Sequence, residues 1–492
     1  MITDRNVYPE PQLSPLGSAG TSYIDPVFGT KITRITDGDF SQSIGRPGRS
    51  WVTGSSAEQN TWAKDSSAFI IQGGGSEWVP FSWNDGQPRR IPTAEGTWFV
   101  PLHGAAFSYN DPQVLFGRSQ DDTSLSVYNL STRKLTALTS FPTPATGEVS
   151  PSANDRIATY GNGGQDRATH IYVWDGAALR ILDTVAGKVD DKSITSTGIT
   201  WGFGVHNVRL DKSGRFAVIT TAELHAKAGS PIVVWDLEQN SVRALESTFS
   251  GHKVGGFGKL INQDVAPDTP WDDMQFVIRN LDGSDSRKNL ITSIITPPRK
   301  VGPAGEFGQD SHLSWNNHNG GNEPVLVSPY REATNPDTFR PWDNELLLVA
   351  TDGSGVVQRV CHHRSLYKSF YDGPHAVISS DGSKALFTSN MGMTLGEAEG
   401  GGFRVDVWMV ELTGVPSIPP KPEPKPEPKP DPIPQPTPTP DPAVSPKYVY
   451  ETRPWPATES AQLQLINEMG AKGYRWLQTI ASAAYFERVV QK

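Results

Sequence analysis

Residues 375–390 read HAVISSDGSKALFTSN, and the architecture of the chain can be worked out from them. A short apolar run reaches Asp381-Gly382, where glycine supplies the positive φ of a tight turn, and a second β-rich run from Ala385 to Thr388 returns. The stretch is a β-hairpin. The next run, Val405 to Leu412 (VDVWMVEL), alternates apolar and polar residues as a half-buried strand does. Three strands in succession make most of one propeller blade.

Similar units begin near residues 58, 103, 147, 205, 252 and 309, and the hairpin unit at 375 completes seven. Their spacing of ~40–50 residues is that of a propeller blade. Several close on a common type of strand: PRRIPT at 88–93, RKLTALT at 133–139, LRILDT at 179–184 and SVRALES at 241–247. The last unit reaches Pro416 before any such strand appears, whereas the segment 23–36, YIDPVFGTKITRIT, ends in one that no unit precedes. Pairing the two closes a ring and hides two sheet edges. The expectation is an all-β chain, a seven-bladed β-propeller over residues 23–414 closed by an N-terminal strand. An open array of β-sandwiches is the alternative.

Composition agrees with this. Glycine and proline number 47 and 41 among 492 residues, and only 36% of residues are hydrophobic, which favours short strands and turns over long helices. The net charge of −9 excludes an extended basic face for nucleic acid. No run of 18 apolar residues suggests a membrane span, and a lone cysteine, Cys361, excludes an intramolecular disulfide framework. The N-terminus has neither a basic nor an apolar signal-peptide region, so the expected location is the cytoplasm or a virion.

Beyond the ring the character changes. Residues 1–22 read as an extended arm. Between 416 and 446, 15 of 31 positions are proline, which describes a polyproline II spacer, placed at 415–446, ~3 Å per residue and up to roughly 95 Å long; a ligand for a proline-binding domain is the other reading. Residues 447–492 are expected to form a small β-α-β module, with strands at 448–455 and 474–480 and a helix at 459–469. Its LINEMGAKGYRWLQ, residues 465–478, resembles a small bacterial and phage family of unknown function patterned LNELGxEGWEL. Such a module is expected to need a partner protein or a second copy.

In a propeller the innermost strands converge on one mouth of the central channel. The residues opening the seven units are Gln59, His103, Glu148, His206, His252, His312 and His375, so five of the ten histidines share one structural position. A ring of imidazoles can hold a divalent metal as neutral ligands or supply a general base; nitrogens without sulfur suit Zn, Mn, Fe or Ni. Tyr109, Arg209, Arg364, Tyr367 and Tyr371 are further candidates.

Here the chain resembles the oligogalacturonate lyases, seven-bladed propellers that cleave uronic-acid oligosaccharides by β-elimination. The similar pieces are DPVFGTKITRIT, FSGHKVG around His252, LDGSDSRK followed by His312, and residues 361–390, CHHRSLYKSFYDGPHAVISSDGSKALFTSN. The resemblance implies His252 as catalytic base and His312 and His375 as ligands of a divalent metal such as Mn; His103 and His206, from their blade openings, and Arg364 and Tyr371 are the candidates for holding an acidic glycan. It also marks a departure. Where the family has a histidine two residues before the position of His375, and a glutamine three before that, this chain has Gly373 and Phe370. Two functions from different classes are implied: a lyase-like enzyme acting on an acidic, uronate-containing glycan, and a non-catalytic head that binds a glycan or cell-surface receptor in a virion or adhesin.

Overall fold

The computed structural model describes residues 2–4, 6–13, 15–54, 56–74, 77–93, 97–222, 231–245, 252–265, 274–284, 287–291, 310–330 and 341–412, together with three strands after residue 446. The chain divides into two units, Met1–Lys421 and Pro422–Lys492.

The first unit is a seven-bladed propeller. Its blades succeed one another as antiparallel sheets whose first strands are Trp51–Val52, His103–Phe107, Ser150–Pro151, Val205–Leu210, Lys253–Gly255, Asp310–Ser314 and Val377–Ile378. In the hairpin of the seventh blade, Val377 pairs with Leu386 and Ile378 with Ala385. Gly382 has φ +71°, and the Asp381 carboxylate accepts the backbone N–H of Ser383 and the hydroxyl of Ser379. Local turn chemistry thus fixes the register.

Closure takes the expected form. Lys31–Arg34 pairs antiparallel with Asp406–Glu411, Ile32 facing Val410 and Arg34 facing Trp408. Ser22–Ile24 then adds a fifth strand outside it. Arg34 rivets the seam: its Nη2 lies 2.5 Å from Asp406, its Nε donates to the Thr36 carbonyl and its Nη1 to that of Gly17.

Apolar burial runs around the ring. Among the described residues there are seven hydrophobic clusters, each lying between two adjacent blades; Ile32, Leu326, Leu346 and Trp408 belong to the seam between blades six and seven, and Trp51, Phe69, Val377 and Val407 to that between seven and one. This corrects one expectation. Residues 406–410 are buried on both faces, because each inner strand is flanked by a blade on either side, and the polar alternation reflects pairing of Asp406 with Arg34 rather than solvent exposure.

Two features carry no sequence signal. Thr195–Thr197 adds a parallel strand outside blade four, and Lys188–Val189 with Lys192–Ser193 adds a hairpin to blade three. The N-terminal arm lies along Val357–His362 of blade six. The carbonyls of Ile2, Asn6 and Tyr8 accept from Arg359 N, Arg359 Nη1 and His362 Nε2, and just past the strand Arg364 Nη1 donates to Pro11.

The second unit contains a three-stranded antiparallel sheet in which the last strand, Ala483–Val490, lies between Lys447–Pro454 and Arg475–Ile480. Its third strand is an addition to the expected β-α-β pattern; the expected helix at 459–469 and the proline-rich spacer lie outside the described residues. No helix among the described residues is long and apolar enough to cross a membrane.

Candidate functional site

Channel-facing residues are brought together by the first strands and the segments that enter them. His252 immediately precedes the first strand of blade five, His312 lies inside that of blade six, and His375 enters that of blade seven. The His252 and His312 ring centroids are 4.2 Å apart, and those of His312 and His375 4.0 Å. The three histidines form one contiguous cluster, their ring planes inclined by 58° and 57°. Tyr330 extends it on His312 at 4.8 Å and 21°, with Tyr367 beyond, while Phe370 stands edge-on to His375 at 4.7 Å.

His375 is held in an uncommon backbone conformation, φ +40°, which for a residue with a Cβ costs on the order of 1–3 kcal/mol and collects at functional sites. Its carbonyl accepts from Thr53 Oγ1 at 2.6 Å, and its Nδ1 lies 3.3 Å from the Gly54 carbonyl. Blade one therefore fixes a residue of blade seven across the closure.

The second half of the site is charged. Glu58, from the segment between the first two strands of blade one, accepts from His252 Nδ1 at 3.0 Å across 194 residues of sequence. The Glu58 side chain is 4% exposed and the imidazole 23%. Burial alone would raise the Glu58 carboxyl, but His252, Arg209 and Lys253 outweigh it and hold it at about 2. A carboxylate on Nδ1 orients the ring and, in the neutral tautomer, places the lone pair on Nε2. Arg209 pairs with Glu148; burial opposes its charge, and Glu148 and Glu58 together more than restore it. Lys253 donates to Thr220, and burial pushes its amine down to about 8 against the pull of Glu58. Burial also drives His312 well below the usual histidine value, helped by its two histidine neighbours, and brings His375 down to about 4. Both are neutral at physiological pH.

Beside Glu58 lies a cavity of about 20 Å³, room for roughly one water, lined in part by Glu58, Gln59, Asn60, Tyr109, Arg209 and Lys212.

Other candidates have other employment. His103 pairs with Asp122 at 3.0 Å, within a turn of its own blade, and His206 with Asp166 at 2.7 Å; neither joins the cluster. Arg364 is 7% exposed, and its Nη1 donates to the Pro11 carbonyl of the N-terminal arm. Tyr371 is 56% exposed and adjoins Phe370, itself 43% exposed, so these two form an open aromatic edge beside the cluster. Gln59 donates to the Ala105 carbonyl. Its neighbour Glu58 is the residue that reaches His252, one position from the one that repeat spacing selects.

The metal implied by resemblance meets mixed ground. His312 Nδ1 and Nε2 and His375 Nε2 are buried without a hydrogen-bond partner among the described residues, as donor nitrogens for a metal would be. Yet no group of three or more His, Cys, Asp or Glu among the described residues is arranged to hold an ion. Phe370 and Gly373 occupy the other two ligand positions, and a Cβ on Gly373 would lie 2.9 Å from His375 Cδ2 and 3.0 Å from its Nε2. The residues do not fit the four-ligand site.

No protein-family model matches the chain, and no curated protein matches it. Among solved structures, an oligogalacturonate lyase from Vibrio parahaemolyticus aligns at 12% identity, covering 80% of this chain and 99% of that one, with a TM-score of 0.47. The structure of U3-55K aligns at 13% identity over 74% of this chain and 98% of that one, TM-score 0.42, and the RRP9 WD40 repeats at 13% over 74% and 97%, TM-score 0.41. The seven-bladed ring is established by the chain's own strand pairing, and nothing about activity passes from these structures.

Proposed function

We propose that the propeller is carbohydrate-active and removes the proton α to the carboxylate of a uronate-containing glycan, cleaving it by β-elimination. The observation that supports this most is the Glu58–His252 dyad: a buried, ionised carboxylate on Nδ1 of a partly exposed imidazole. In this reading His252 Nε2 takes the α-proton as general base. The electron pair left behind forms the new C=C bond to the β carbon, the β C–O bond breaks, and the departing oxygen takes up a proton. Glu58 stabilises the imidazolium that forms, and Arg209 with Lys253 provides positive field beside the charge developing on the substrate carboxylate. Neutral His312 and His375 contribute no charge to that step.

The exposed Phe370–Tyr371 edge favours a second reading, a glycan-binding head in which rings stack on sugar faces. One experiment separates the two. Incubation with oligogalacturonates and other uronate oligosaccharides should yield the unsaturated product that absorbs in the ultraviolet, and His252→Ala should abolish it. Retention of glycan without product, weakened by Tyr371→Ala, would leave only the binding head.

A further inference from the structure

The unpartnered nitrogens of His312 and His375 require something to satisfy them, and ring spacing decides between a metal and water. An imidazole centroid lies ~1.1 Å behind its ligating nitrogen, hence ~3.2 Å from a metal bound at about 2.0–2.1 Å. Two such rings sharing an ion stand about 5 Å apart at a tetrahedral angle and about 4.5 Å apart at a right angle. The observed spacings are 4.2 and 4.0 Å. The ring planes are inclined by 58° and 57°, and the centroids stand closer than a shared ion would set them, so the rings touch one another directly as packed aromatic side chains do. Their other faces are filled as well, by Tyr330 against His312 and Phe370 against His375. Gly373 leaves no space for a further ligand, since any side chain there would strike the His375 ring.

We propose that the His252–His312–His375 cluster works without a metal: Phe370 stands where a ligand would, and His312, held between His375, Tyr330 and His252, positions the His252 ring for its bond to Glu58. This holds whether or not the protein cleaves a glycan. The two nitrogens of His312 are then satisfied by buried water, whose donor and acceptor both suit a neutral imidazole, while His375 has the Gly54 and Phe370 backbone beside it.

The test uses the untagged full-length chain. After equilibration with Mn, Zn and Ni salts and gel filtration, metal analysis should find well under one equivalent retained, and a chelator should leave the melting temperature unmoved. His312→Phe keeps a flat ring and removes two polar atoms that have no protein partner, so it should melt within about 2 °C of the parent, whereas His312→Ala should melt several degrees lower. Phe370→His should raise zinc or nickel retention by supplying a third nitrogen. Retention of one equivalent by the parent, lost in His312→Phe together with a chelator-sensitive melting temperature, would overturn the proposal. So would His312→Phe melting as low as His312→Ala.

Discussion

Replacing Arg34 tests the closure of the ring at the point where one N-terminal side chain holds two ends of the chain together. In Arg34→Met the apolar stem is kept and the guanidinium lost, so Asp406, whose side chain is fully buried, loses a partner at 2.5 Å. The remaining contacts are weak: Thr36 Oγ1 at 3.4 Å and Arg404 Nη2 at 3.5 Å. Burial already raises the Asp406 carboxyl, with Arg34 first among the groups opposing it. Breaking a buried pair on one side costs about 3–5 kcal/mol, and because Arg404 stays near, the lower end applies. The carbonyls of Gly17 and Thr36 also lose their donor. Urea unfolding monitored by tryptophan fluorescence measures the change, and Asp406→Asn in the same chain should recover roughly half by removing the stranded charge. Lys31→Met is the control: its pair with Glu411 is 40% and 26% exposed and should contribute under about 1 kcal/mol. A loss for Arg34→Met no larger than this control, or no recovery in the double variant, would refute the riveted seam.

Three further outcomes are expected. His363, whose Nδ1 accepts from Ser365 N and whose Nε2 donates to the Pro329 carbonyl, is lowered by burial to about 3, and His318, also by burial, to about 4; both lie below the unfolded value, so their stability is complete above pH ~6.5 and falls as pH drops toward 4, by up to about 1.4 kcal/mol per unit per histidine, and urea midpoints that stay flat across that range would contradict it. Glu58→Gln should lower lyase turnover by about two orders of magnitude or more while leaving the fold intact, a result that initial rates of ultraviolet-absorbing product would check against His252→Ala. A chain ending at Lys421 contains all seven blades and their closing strand, so it should fold by itself; loss of a cooperative melt would show that the ring depends on residues 422–492.

How much of this is legible in sequence depends on how far each determinant acts. The blades are readable because their turns are local: Asp381 and Gly382 set a hairpin within six residues. Closure is readable too, since TKITRIT is a strand without a unit and the seventh unit lacks its fourth strand. The gathering of His252, His312 and His375 reflects their common place at blade openings. His103 and His206 share that place on other blades and pair instead with Asp122 and Asp166. Arg364 is taken by a docked arm that no periodicity announces. Glu58 has no signal of its own, as its partner lies on another blade.

The seam also places a clock on biosynthesis. Ile32 leaves the ribosome early, yet its partner Val410 emerges about 380 residues later, which at ~5–20 residues per second is a delay of roughly 20–75 s. Throughout that interval the closing strand presents an unpaired edge, the sort of edge that recruits neighbouring chains. The dyad waits as well, since Glu58 must hold its place until blade five supplies His252. Conditions that slow elongation or crowd nascent chains should therefore be felt first as misassembly of blade seven, before any change in the stability of the finished ring.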